Sequence, residues 1–137
     1  MSEQTVISTI LAHLPGVQAI YLFGSWGTED EWPDSDADIA LLLPPTDAKQ
    51  IGSSLQTGEL QAALEAALQK EVDLVNLRRV PTVLQKEIIM AGRRIFCADI
   101  YGADEFEMVR LSLYQKLNEE RAAILAEARK SGRLYDL

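Results

Sequence analysis

Two short apolar runs, residues 17–23 and 37–43, flank a stretch so polar that it cannot lie in a core, and that arrangement constrains the fold more than any other feature of the chain. The first run is β-branched and aromatic and ends at Gly24-Ser25; the second is stopped by Pro44-Pro45. Runs of this length and composition read as strands, and the Gly-, Pro-, Ser- and acid-rich residues between them read as a turn followed by a loop. The two strands are expected to pair.

The rest of the chain alternates around them. Residues 4–14 carry Val6, Ile7, Ile10, Leu11 and Leu14 at helical spacing until Pro15-Gly16 breaks the pattern. Leu60, Leu64, Ala67 and Leu68 give a second helix over about 58–70, residues 72–77 a third strand, Pro81 to Met90 a third helix and residues 93–98 a last strand. From 104 to about 130, Phe106, Val109, Leu113, Leu117 and Ile124 share one face of a long amphipathic helix, and 131–137 read as a frayed tail. This order predicts an α/β domain spanning 1–137, a mixed sheet of about four strands with helices on the face opposite its acidic residues.

Composition narrows the functional classes. A net charge of −8 opposes a nucleic-acid backbone, whose affinity comes mainly from cationic side chains. The N-terminal residues lack the basic segment and apolar core of a signal peptide, and no stretch approaches the roughly 20 apolar residues of a membrane span, so a cytoplasmic protein without membrane or direct nucleic-acid contact is expected. Cys97, the single cysteine, lies in an apolar run and reads as a buried structural thiol.

The chemistry concentrates in Gly24-Ser25 and, ten residues on, Asp36-Ala37-Asp38, with Asp73 inside the apolar third strand. Alternating strand side chains put Asp36 and Asp38 on one face, where two carboxylates would suppress each other's ionisation unless a hard divalent cation such as Mg²⁺ accepted their oxygens. Asp73, between Val72 and Leu74, needs a cation or a hydrogen-bond partner of its own. If the third strand lies beside the second, Asp73 can share that metal and take a proton from an attacking hydroxyl. Gly24 allows close backbone approach to a phosphate, and Ser25 opens a turn whose N–H groups and hydroxyl can hold triphosphate oxygens. An EF-hand reading of Asp34-x-Asp36-x-Asp38 fails, because Ile39 and Pro45 stand where Gly and Glu are required. Trp26 and Trp32 read as loop packing, His13 as a surface residue, and Arg78 and Arg79 as candidates for touching a triphosphate or a partner.

Gly24, Ser25, Asp36 and Asp38 match without a gap the signature of the minimal nucleotidyltransferases of the polymerase-β-like superfamily. In length and element order the chain most resembles the antitoxins that pair such a domain with a HEPN-domain ribonuclease toxin. The resemblance implies a polymerase-β-like fold, metal binding by Asp36 and Asp38 with Asp73 as third carboxylate, and Mg²⁺-dependent transfer of AMP from ATP to a tyrosine of the toxin, which silences it. Two other outcomes stay open: transfer to a small acceptor such as an aminoglycoside, and neutralisation of a partner by binding alone.

Overall fold

The computed structural model describes residues 3–24, 36–45 and 58–131. Among them, four strands form one mixed sheet: β1 (Ala19–Phe23), β2 (Ala37–Leu42), β3 (Val72–Asn76) and β4 (Arg93–Cys97), in the order β3-β2-β1-β4. β1 runs antiparallel to both β2 and β4, whereas β2 and β3 are parallel. The helices are α1 (Glu3–His13), α2 (Glu59–Leu68), α3 (Thr82–Ala91) and α4 (Ile100–Ser131).

Helices cover both faces of the sheet, not one. Ile20, Leu22, Ile39, Leu41 and Leu74 face one side and pack with Val6 and Ile10 of α1 and Leu64 and Leu68 of α2. Ala19, Tyr21, Ala40 and Leu42 face the other, against Ile88 of α3 and Ala103 and Phe106 of α4. The reason is visible in β2, which is apolar at nearly every position and buries both parities, as a two-sided strand must.

α3 begins where Pro81 predicts, with Pro81 as its N-cap and the Gln85 N–H donating to the Pro81 carbonyl at 2.9 Å. α4 starts four residues before the expected position. Asp99 accounts for this: its Oδ1 accepts the Gly102 N–H at 2.9 Å and its carbonyl accepts the Ala103 N–H at 2.9 Å, an N-cap that offsets the poor helix propensity of Gly102.

The expected apolar face of α4 is only partly used. Phe106 is 5% exposed, but Val109, Leu117 and Ile124 are 50%, 43% and 68% exposed. Thirty-two residues of helix extend about 48 Å while a five-residue strand extends about 17 Å, so the C-terminal half of α4 outruns the sheet. Its N-terminal half is fastened by Tyr21, whose hydroxyl donates to Glu107 Oε2 at 2.7 Å, and by Arg94, which pairs with Glu107 at 2.8 Å and Asp104 at 3.0 Å. Cys97 is half-buried in β4, less enclosed than its apolar neighbours suggest. No helix among the described residues is long and apolar enough to cross a membrane.

Candidate active site

The sheet register brings two of the three predicted carboxylates side by side. Asp38 of β2 lies opposite Asp73 of the parallel strand β3 and, on its other side, opposite Phe23 of β1. Residues in register across neighbouring strands point the same way, so Asp38 and Asp73 share a face with Phe23, Ala40 and Val75. That is the face α3 and α4 cover farther along, and the carboxylates occupy its end. Asp36 immediately precedes β2, is exposed, and its charge reaches Asp38.

This neighbourhood penalises a charged Asp38. Partial burial, then the charge of Asp73, then that of Asp36 push its pKa up from 3.8 to about 6. Gly24, at the end of β1, makes the crowding possible. Its φ of +73° is open to glycine, and a Cβ there would fall on the Asp38 Oδ2. The left-handed φ is what favours glycine here, while the carboxylate end of Asp38 occupies the space that a Cβ would take. Ser25, Trp26, Trp32 and the acidic loop residues before Asp36 lie outside the described residues.

The chemistry of this donor set suits a hard divalent cation, which accepts carboxylate oxygens and relieves the repulsion at Asp38. Among the described residues no three acidic, His or Cys side chains form a ready-made cage. Mg²⁺ completes its shell with water and substrate phosphates, so the carboxylates that hold it need not form a closed cage.

A family described as polymerase beta nucleotidyltransferases matches residues 5–101, which include β1, β2 and β3 and hence all three carboxylates. The chain belongs to this nucleotidyltransferase family. The protein adenylyltransferase MntA of Shewanella oneidensis is 33% identical over 125 residues, covering 91% of this nucleotidyltransferase and 86% of that protein. A solved toxin–antitoxin pair with AMP-PNP contains a chain that is 30% identical, with a TM-score of 0.70 over 94% of this chain and 99% of that one. The MNT antitoxin in complex with the tri-AMPylated Shewanella oneidensis HEPN toxin gives 30% identity and a TM-score of 0.64 over 93% and 95%.

Within the nucleotidyltransferase, Arg78 is placed away from the carboxylates. It follows the C-terminal end of β3, whereas Asp73 is near that strand's beginning, about 17 Å of extended chain away. Its guanidinium instead donates from Nε to the Leu43 carbonyl and from an Nη to Gln18 Oε1 at 2.6 Å. His13 stays on its own helix, its Nδ1 3.0 Å from the Thr9 carbonyl oxygen. Arg110 was absent from the sequence-based candidates, although it follows Phe106 by four residues and so interrupts an otherwise apolar helical stripe.

Proposed function

We propose that this chain is a cytoplasmic antitoxin acting as a Mg²⁺-dependent protein adenylyltransferase: it transfers AMP from ATP to a tyrosine hydroxyl of a partner HEPN-domain ribonuclease toxin and so silences it. The observation that carries the reading is the in-register pair Asp38 and Asp73, with Gly24 against Asp38, in a chain resembling MntA over 91% of its length.

In this reading Asp36, Asp38 and Asp73 hold Mg²⁺, which when bound neutralises the triphosphate and draws charge from the α-phosphorus. Gly24 and Ser25 hold the triphosphate tail at the end of β1. Asp73, beside Asp38, accepts the proton of the attacking hydroxyl. The hydroxyl oxygen bonds to the α-phosphorus while the bond to pyrophosphate breaks, leaving AMP esterified to the acceptor and pyrophosphate free. The transfer needs positioning and charge neutralisation more than covalent chemistry, and a rigid sheet end provides the first.

The acceptor comes from another molecule. In this reading the tyrosine is presented by the toxin, and a net charge of −8 suits a basic partner surface better than RNA. The solved relatives support that choice, since one is an antitoxin in complex with a tri-AMPylated HEPN toxin and another a toxin–antitoxin pair with AMP-PNP.

Intact-mass spectrometry of the cognate HEPN protein tests this, after incubation with the chain, ATP and Mg²⁺. The expected result is a gain of whole AMP units with the wild type and none with Asp36→Asn/Asp38→Asn. A toxin silenced in a stable complex with its mass unchanged would replace the reading with neutralisation by contact. AMP appearing on an aminoglycoside, with no partner protein present, would move the acceptor to small molecules.

A further inference from the structure

At the end of the sheet remote from the carboxylates lies a cavity of about 300 Å³, lined by Gln18, Arg78, Phe106, Val109 and Arg110 among others. The two arginines differ from Arg93 and Arg94. Arg93 pairs with Glu3 at 2.9 Å and Arg94 with both Asp104 and Glu107. Arg78 donates only to neutral oxygens, those of Leu43 and Gln18, and its Cζ stands 5.1 Å from the centre of the Phe106 ring. The Arg110 Cζ stands 5.3 Å from the same centre, and its Nε is buried without a hydrogen-bond partner.

Two guanidinium groups thus converge on one ring in a chain of net charge −8, with no carboxylate in an ion pair with either among the described residues. Two acids are near: Glu105 lines the cavity without an ion pair to either arginine among the described residues, and Asp99 has its oxygens taken by the Gln18 amide at 2.9 Å and the Gly102 N–H. Burial and the Arg110 charge lower the Arg78 pKa, and Asp99 opposes them only in part. A buried cationic N–H without an acceptor is costly. Stacking on Phe106 fixes the guanidinium planes and leaves their remaining donors for a planar or tetrahedral oxyanion, the groups arginine recognises best.

We propose that this cavity is a second binding site, taking a small ligand that carries a phosphate or carboxylate group, with the terminal guanidinium nitrogens of Arg110 and the free Arg78 donors on the oxyanion and the Phe106–Val109 wall against the ligand's apolar body. The volume sits at the lower end of the range for small-molecule sites. The Gly102 N–H is already engaged by Asp99, so the arginines rather than the start of α4 must provide recognition.

The test is a titration of the full chain followed by ¹H–¹⁵N NMR that includes the arginine Nε–H resonances, with inorganic phosphate in one arm and acetate in the other at constant ionic strength. The Arg110 Nε–H and the Gly102 and Phe106 amides are expected to shift saturably. Arg110→Gln should weaken this at least about tenfold, the loss of one hydrogen bond to a charged group, while leaving the Gly24 and Asp38 amides as in the wild type. Saturation by phosphate alone assigns a phosphate ligand, and equal saturation by acetate assigns a carboxylate one. The proposal is overturned by no saturation up to ~20 mM, which corresponds to negligible affinity. It is overturned equally by shifts confined to Gly24 and Asp38, or by an unchanged titration in Arg110→Gln.

Discussion

At one end of the sheet Asp38 meets Gly24 and feels the charges of Asp73 and Asp36; at the other, two guanidinium groups lie over Phe106. Asp38 lies among like charges that raise its pKa, and Arg78 and Arg110 make no ion pair among the described residues, whereas Arg94 pairs with Asp104 and Glu107. Uncompensated like charge is unfavourable for folding, so its concentration at two places points to counter-charge arriving from outside: a cation at one end, an oxyanion at the other. The ends differ in what pH can do to them. Asp38 titrates at about 6 and can shed its charge, while the arginines keep theirs across the physiological range.

The largest expected effect is on catalysis at the acidic end. Asp38→Asn should lower AMP transfer by about 10³-fold or more, as removal of a central electrostatic group does, read by mass spectrometry of the partner. The same substitution should raise the melting temperature of the metal-free protein, because it removes the repulsion with Asp73 and Asp36. A fall in melting temperature would show that Asp38 holds the fold together and would break the contrast with the paired charges. At the basic end the scaffold is the ring: Phe106→Ala should cost about 3–5 kcal/mol in urea denaturation, because Phe106 is almost fully buried.

Gly24→Ala comes next. A left-handed φ at a residue other than glycine costs about 1–2 kcal/mol, and the added methyl displaces the flexible end of Asp38, so transfer should fall more than stability does. A smaller effect follows from linkage. The folded pKa of Asp38 lies above its ordinary 3.8, so the folded state binds the proton more tightly than the unfolded state. The Asp38 contribution to stability is therefore fully present below pH 3.8 and is lost as pH rises through about 6. Denaturation of metal-free wild type and Asp38→Asn across this window should differ by that slope. The smallest effect is Ile124→Ala, on the exposed half of α4, which should change stability by less than about 0.5 kcal/mol.

The two ends were unequally legible in the sequence. Asp36 and Asp38 could be read because strand side chains alternate, and Asp73 because a carboxylate inside an apolar run needs a partner. That β3 lies beside β2 with Asp73 against Asp38 could not be read, since register depends on the whole sheet; it entered only as a condition. Helices on both faces were written in the two-sided burial of β2, but the polar loop before it drew attention to one face. The pairing of Arg78 with Arg110 was hidden, because the two meet only when Phe106 of α4 packs on the sheet. Even the start of α4 at Asp99 was masked by the helix-unfavourable Gly102.

The central claim is that Asp38 and Asp73 work as one unit in AMP transfer. A double-mutant cycle on the single-turnover rate onto the HEPN partner tests it, using Asp38→Asn, Asp73→Asn and the pair. The prediction is that each single variant loses nearly all the rate and the pair is no worse than either, as expected for groups sharing one metal and one proton transfer. Substantial transfer by either single variant, or losses that simply add, would contradict it.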